Sequence, residues 1–148
     1  MRKVIAQVAL ACACNLAFAE NSYVCVADSA AGIAYDRATK HWSSSIFRVD
    51  ETLILSKANS DEMKRGAVWV VKTIGSTLPS FGCKGGFNEA GLIFCHGLFG
   101  DFRFNRKNGR YLSTYLFGYV TDGNDAIGTV GEEGNDTPSI KAGRCSPI

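Results

Sequence analysis

Past the first 22 residues, apolar and polar side chains alternate in short runs that are separated by turn-forming residues. The runs are rich in β-branched and aromatic residues, and each is too short for an amphipathic helix. They span residues 23–27, 32–36, 46–57, 67–74, 92–95, 101–105 and 111–120. This pattern predicts an all-β fold, a single small antiparallel sheet domain built as a sandwich, a barrel or a bent sheet. A single helical turn over 59–64, capped by Asn59 or Ser60, is the one expected exception.

Two segments share a hairpin-like pattern. Residues 33–42 and 102–111 each run from an aromatic residue through Asp36 or Asn105 to a polar turn, and then to a second aromatic residue. Asp and Asn side chains bond to their own backbone in such turns, and Gly109 tolerates a positive φ. We therefore predict two hairpins with aromatic residues near their turns.

Residues 1–19 follow the pattern of a secretory signal. A short cationic start precedes an apolar run that ends in Ala17-Phe18-Ala19, with small residues at the two positions that a signal peptidase reads, Ala17 and Ala19. A membrane-spanning helix needs about 20 apolar residues, and this run is shorter. Cys12 and Cys14 raise the alternative of lipidation, but neither has a leucine at the third position before it. We predict cleavage after Ala19 and a single mature domain, residues 20–148.

The charge of the mature chain argues against a nucleic-acid partner. Removal of Arg2 and Lys3 lowers the count of Lys and Arg from 16 to 14, which equals the 14 Asp and Glu. Nucleic-acid-binding domains normally carry a basic excess. After signal removal, no apolar stretch is long enough to span a bilayer. The sequence predicts an exported protein of the periplasm or the extracellular space.

Four cysteines remain in the mature chain, and an exported chain with an even count is expected to pair them. Three pairings are possible. Cys83 and Cys95 flank a glycine-containing turn segment, so we predict that they join the two arms of a hairpin, while Cys25 and Cys145 tie the ends of the domain together. By loop entropy, so long a closure is worth about 4 kcal/mol. A zinc site is the competing use, but no Cys-x-x-Cys pair is present, and we predict no metal and no cofactor.

Candidate catalytic residues are few. Cys95 and His96 are adjacent, but neighbours on a strand point to opposite faces, which indicates a disulfide beside a surface histidine. Glycoside hydrolysis needs two carboxylates at a defined distance. Asp50 and Glu51 are adjacent, so in an extended strand their carboxylates would point to opposite faces. No catalytic residue is predicted, and a non-enzymatic role is favoured without being decided.

The stretch from Thr121 to Gly143 is glycine-rich, poor in apolar residues and acidic between Asp122 and Asp136, which is typical of an exposed loop reattached by Ile140 and Cys145. An EF-hand alignment fails at Ala126 and Ile127, where a ligand and a glycine are required. A solvated loop is the prediction, and an irregular calcium site is the alternative left open.

The aromatic segment 111–120 is the most informative candidate site. If it is one regular strand, four aromatic side chains share a face: Tyr111, Tyr115, Phe117 and Tyr119. Tyrosine rings combine apolar area with a polar tip, which suits binding surfaces. The simpler interpretation is a central strand covered on both faces, with its hydroxyls satisfied internally.

Four short stretches together resemble a family of small exported bacterial proteins of uncharacterised function. They are Tyr23-Val24-Cys25-Val26-Ala27-Asp28, Phe102-Arg103-Phe104-Asn105, Asp136-Thr137-Pro138 and Cys145-Ser146-Pro147-Ile148. The resemblance implies a bacterial, periplasmic setting, and it transfers no catalytic or binding residue.

These observations favour a non-catalytic periplasmic or secreted binding or interaction module, for example an inhibitor of an envelope enzyme. Its expected partner is a protein or glycan of the envelope. The alternatives are a small carboxylate-based hydrolase and a structural envelope protein.

Overall fold

The computed structural model describes residues 22–120, 133–134 and 136–148. Within these ranges the chain forms strands and one short helix. Their bounds are β1 Ser22–Asp36, β2 His41–Ile46, β3 Thr52–Lys57, α1 Ser60–Lys64, β4 Trp69–Thr73, β5 Phe81–Cys83, β6 Leu92–His96, β7 Asp101–Asn105, β8 Arg110–Tyr115 and β9 Ser139–Pro147. The predicted signal, residues 1–19, lies outside the described residues.

The strands form a closed antiparallel barrel. Neighbours follow the order β1-β3-β4-β5-β6-β7-β8-β9, and β9 pairs back onto β1. Strand β2 is an extra strand that pairs with the far half of β1. The all-β prediction is confirmed, and of the three architectures considered the barrel is the one adopted. Closure removes the free edges that an open sheet would expose.

Strand β1 holds the barrel and the extra strand together. The sequence predicted two strands, 23–27 and 32–36, and the structure joins them into one strand of 15 residues. Its first half pairs with β3 and its second half with β2, while β9 follows its other edge past a bulge between Ala27 and Ser29. A bulge shifts the alternation by one residue, so Ala27 and Ala30 both face inward and are buried.

The inward residues of the barrel include both disulfides. Cys25 on β1 lies opposite Cys145 on β9 and is bonded to it, and Cys83 on β5 is bonded to Cys95 on β6. The predicted pairing is therefore confirmed. All four disulfide-bonded cysteines are buried among the apolar side chains of the core. Cys95 therefore has no free thiol, and the neighbouring His96 is exposed on the outer face.

The two predicted hairpins are confirmed, and their turns match residue by residue. Asp36 Oδ1 accepts a hydrogen bond from the Ala38 N–H at 2.8 Å, and Asn105 Oδ1 accepts one from the Lys107 N–H at 2.9 Å. Four residues after the Asp or Asn, the backbone is left-handed in both turns, at Lys40 (φ 52°) and Gly109 (φ 69°). Glycine adopts this conformation freely, whereas lysine does so at a cost.

The single helical turn is also confirmed. Asn59 caps α1 through its side-chain oxygen, and the Glu62 carboxylate accepts a hydrogen bond from the Asn59 N–H. Glu62 is buried and pairs with Lys72 at 2.7 Å. The bond from Lys72 holds the pKa of Glu62 below its usual range, against the opposing effect of burial.

Candidate functional site

One end of the barrel, called here the closed end, is filled by aromatic side chains. The rings of Tyr23, Trp69, Phe87 and Phe104 pack with centroids 4.9–6.4 Å apart. The Arg106 guanidinium lies 4.9 Å from the Phe87 ring centre, over its face. Edge-to-face aromatic contacts and a cation over a ring both add to the energy of burial.

The opposite end, called here the open mouth, contains a cavity of about 560 Å³. Its walls are the segment before β3, the β4–β5 and β6–β7 loops, the end of β8 and the start of β9. Phe81 and Phe99 supply apolar wall area, and Ser113 is a buried polar residue in the lining. Its volume falls in the range of ordinary ligand cavities in proteins.

An ion pair occupies the open mouth. Lys141 Nζ donates to Glu51 Oε2 at 2.7 Å, and each side chain keeps about 30% of its surface exposed (31% and 27%). Lys141 lies opposite the inward residue Ala30 in the β1–β9 ladder, so it shares the inner face of β9 with Cys145. The barrel thus presents a cation and an anion at its mouth, both within reach of solvent.

Tyr115 ends β8 beside this pair and is held from two directions. Its hydroxyl donates to Asp136 Oδ1 at 2.9 Å, and its ring lies 5.8 Å from that of Phe99. Phe99 in turn packs edge-on against Phe117 at 5.1 Å. The aromatic wall of the mouth is therefore fixed by its own contacts.

Tyr111 lies deeper in the barrel, between the mouth and the closed end. It is 3% exposed and stacks on Phe102 at 5.4 Å. Its ring covers Gly143, where a Cβ would come within 2.7 Å of Tyr111 Cε1. The buried hydroxyl has no hydrogen-bond partner among the described residues. Burial, with the nearby charges of Glu51 and Asp28, raises the pKa of Tyr111 to about 12.

Exposed leucines lie in the lining of the open mouth, at Leu98, and next to its lining residues Pro79 and Tyr115, at Leu78 and Leu116. Leu98, between β6 and β7, is 70% exposed, and Leu78 and Leu116 on neighbouring segments are exposed to a similar degree. Large apolar side chains that are grouped on loops around a cavity are more typical of a contact surface than of a bare monomer surface. The mouth therefore combines a charged centre with an apolar collar of Leu78, Leu98 and Leu116.

The four aromatic residues predicted to bind do not share one face. The expected strand over 111–120 ends at Tyr115, because Gly118 takes a positive φ of 107° and the chain turns away. Tyr111 is inside the core, while Tyr115 and Phe117 meet at the mouth through Phe99. Tyr119 packs against Trp42 at 5.5 Å, outside the barrel. A binding role for these residues stays a prediction.

Of the residues that line the mouth, only Glu51 and Tyr115 were among the candidates taken from the sequence. Lys141 and Glu51 lie 90 positions apart, and no local pattern connects them. A signal was present for Leu98: a Leu-Phe pair between two glycines, in Gly97-Leu98-Phe99-Gly100, places apolar side chains in a turn. Turns are usually polar, so an apolar pair at this position indicates a contact surface.

The other candidate sites give weaker support for a function. His96 Nδ1 lies 2.7 Å from Asp101 Oδ1 on the outer face, an exposed pair. No cluster of three or more His, Cys, Asp or Glu residues able to hold a metal ion occurs in the described part of the chain. The calcium alternative at Asp122–Asp136 falls mostly on residues 121–132 and 135, outside the described residues.

No helix within the described ranges is long and apolar enough to cross a membrane. Comparisons with protein-family models, with curated proteins and with solved structures found no match to this chain.

Proposed function

We propose that the protein is an exported, non-catalytic binding module that receives its partner at the open mouth of the barrel. The observation that carries the proposal is the solvent-accessible Lys141–Glu51 pair inside a cavity that has the exposed Leu98 in its lining. The pair offers a cation and an anion to an incoming polar group, and the collar offers apolar area around it. Two disulfides and the closed barrel keep this arrangement preorganised, which lowers the entropy lost on binding.

A protein partner fits this surface better than a glycan does. Sugars are commonly held by aromatic faces and dense hydrogen-bonding groups, whereas the collar presents leucine side chains on separate loops. A projecting loop with a charged or polar tip would place its tip against Lys141 and Glu51 and its apolar flanks against the collar. An inhibitor of an envelope enzyme would bind in this way, with the enzyme supplying the loop.

The lining supports binding more than hydrolysis. Among the described residues that line the mouth, Glu51 is the single carboxylate, and it is already paired with Lys141. Glycoside hydrolysis by the usual mechanism requires two carboxyl groups across the bond that is cleaved.

Export to the periplasm or the extracellular space is part of the proposal. Two buried disulfides are typical of proteins that fold in an oxidising compartment. The signal predicted over residues 1–19 and the family resemblance both favour a bacterial envelope setting.

Site-specific photo-cross-linking in cells that export the protein tests the proposal. A benzoylphenylalanine at Leu98 is expected to capture a defined protein partner. The same probe at Met63, an exposed residue on α1 near the closed end, is the matched control and is expected to capture none. Adding Lys141→Ala to the Leu98 probe should lower the yield of the adduct at least tenfold.

Equal labelling from Leu98 and Met63, or no adduct from Leu98, would contradict binding at the mouth. An adduct that is insensitive to Lys141→Ala would show that the ion pair takes no part in it. Once a partner is identified, its enzymatic activity with and without the protein decides whether the module inhibits it.

A further inference from the structure

We infer that two copies of this chain associate through the free edge of β2, in an antiparallel pairing centred on Ser44. This inference concerns the extra strand and is independent of the open mouth. Strand β2 is hydrogen-bonded to β1 along one edge, and no other described strand pairs with its second edge. Such an edge is a template for a further strand.

The directions of the backbone groups on β2 follow from two hydrogen bonds. The Phe47 N–H donates to Ala30 O at 2.9 Å, so residues 43 and 45, in step with it, also face β1. The Ile33 N–H donates to Pro138 O on the β9 side, so Ile33 does not bond its β2 neighbour Ser44. The N–H and C=O groups of Trp42, Ser44 and Ile46 therefore point out along the free edge.

A two-fold axis at Ser44 satisfies all of these groups together. Ser44 then lies opposite Ser44 of the second copy, and Trp42 lies opposite Ile46 of the second copy. In this register every outward N–H meets an outward C=O, because the residues that face out on one copy oppose residues that face out on the other. A shift of one residue would oppose outward groups to groups already bonded to β1. Among the registers that oppose outward groups to outward groups, the one centred on Ser44 pairs all three outward residues of β2.

The side chains agree with the same register. Ile46 is 89% exposed, the highest value among the large apolar residues of the described chain. Trp42 is held in place by a hydrogen bond from its Nε1 to Glu133 Oε1 at 3.1 Å and by the rings of Tyr35 and Tyr119. The pairing sets this fixed indole beside the exposed Ile46 of the second copy, an aromatic and β-branched contact of the kind that stabilises antiparallel sheets.

The edge also lacks the usual protection against pairing. Natural edge strands commonly carry lysine, proline or bulges. Between His41 and Ile46 the residues are Trp42 and three serines, with no charge. Lys40 and Arg48 flank the strand and approach each other across the two-fold axis, so the association is expected to be weak and to strengthen with salt.

Sedimentation equilibrium of the mature protein tests the inference. A monomer–dimer equilibrium with Kd of roughly 10–500 µM is expected, since a short edge pairing buries little area. Ser44→Pro removes an outward N–H and leaves the β1 ladder intact, and it should raise Kd at least tenfold. Ser44→Thr keeps the N–H and should leave Kd within about threefold. Thermal unfolding of each variant establishes that the barrel still folds.

Cysteine cross-linking locates the interface separately. Ser44→Cys should form an intermolecular disulfide on mild oxidation, whereas Asn108→Cys, in the exposed β7–β8 turn, should not. A protein that remains monomeric up to about 1 mM would overturn the inference. A dimer that is unaffected by Ser44→Pro, or equal cross-linking at both positions, would overturn it as well.

Discussion

The two ends of the barrel are built from the same strands and differ in what fills them and in how far solvent enters. At the closed end, aromatic rings fill the interior, and Arg106 covers Phe87 from outside. At the open mouth, the lining carries Lys141, Glu51 and hydroxyl groups, and the neighbouring leucines are exposed. One end therefore provides the core and the other is left unfilled. The contrast predicts that the closed end contributes most of the stability, while the binding site proposed above lies at the other end of the barrel axis.

The largest expected effect comes from removing a ring at the closed end. Phe104 is 1% exposed and touches Tyr23 at a centroid distance of 4.9 Å. Phe104→Ala should lower the free energy of unfolding by about 3–5 kcal/mol, because a large cavity replaces a packed ring. Leu98→Ala at the rim should change it by less than about 0.5 kcal/mol. Urea denaturation of both variants measures the difference, and similar losses would break the comparison between the two ends.

Tyr111 tests the boundary between the two ends. Its pKa is about 12 in the folded protein, against an ordinary value of about 10 in the unfolded chain. The unfolded chain therefore releases this proton first, so the free energy of unfolding should fall as pH rises from about 10 to about 12. The loss should reach about 2–3 kcal/mol at the upper limit.

Tyr111→Phe removes the ionisable group and the unpartnered hydroxyl. We expect a shallower alkaline decline and, at pH 7, a protein that is equally stable or up to about 1 kcal/mol more stable. Denaturation curves across the pH range give both quantities. A variant that declines as steeply as the parent would show that the hydroxyl is solvated in solution.

The two matched turns sharpen the comparison at a smaller scale, since the β7–β8 turn belongs to the closed end and the β1–β2 turn lies outside the barrel. Lys40→Gly should stabilise the protein by about 0.5–1 kcal/mol by relieving the left-handed backbone at φ 52°. Gly109→Ala should destabilise it by about 1 kcal/mol or more, because the new Cβ would lie 3.3 Å from the Cys145 carbonyl oxygen. Thermal unfolding of both variants measures the two changes in stability. Changes of the same sign would contradict a strained left-handed backbone at Lys40 and an unstrained one at Gly109.

The smallest effect is expected from the ion pair at the mouth. A double-mutant cycle of Glu51→Gln and Lys141→Met should give a coupling energy below about 1 kcal/mol, since both side chains are partly solvated. A coupling above about 2 kcal/mol would mean that the mouth contributes to stability after all. The separation of roles along the barrel would then fail.

Local patterns in the sequence predicted the local structure well. Alternation predicts most strands, although β9 begins inside the segment that was predicted to be a loop. The helix cap was expected at Asn59 or Ser60 and is Asn59, and the spacing of Cys83 and Cys95 indicates a hairpin disulfide. Each of these depends on neighbours within about a dozen residues. The choice of a barrel over a sandwich depends on β9 pairing with β1, a contact between distant segments that no local pattern encodes.

The candidate site shows the same limit. Regular alternation would have placed Tyr111 and Tyr119 on one face, but Gly118 ends that regularity, and the two rings lie in different parts of the molecule. The ion pair joins the segment before β3 to β9, and its position inside the barrel follows from a register set across the closing ladder. Charges near strand ends are usually solvated, so sequence alone gave no reason to place Lys141 inward.

The ladder between β1 and β9 also affects folding, because the barrel closes only when β9 pairs with β1. Cys25 and Cys145 are separated by 120 positions, and until β9 arrives, β1 and β8 each expose an unpaired edge. Contacts this distant in sequence form slowly, because loop-closure entropy is lost before they are made. A nascent chain therefore cannot close its barrel, or form the Cys25–Cys145 bond that crosses the closing ladder, until its last nine-residue strand has been made.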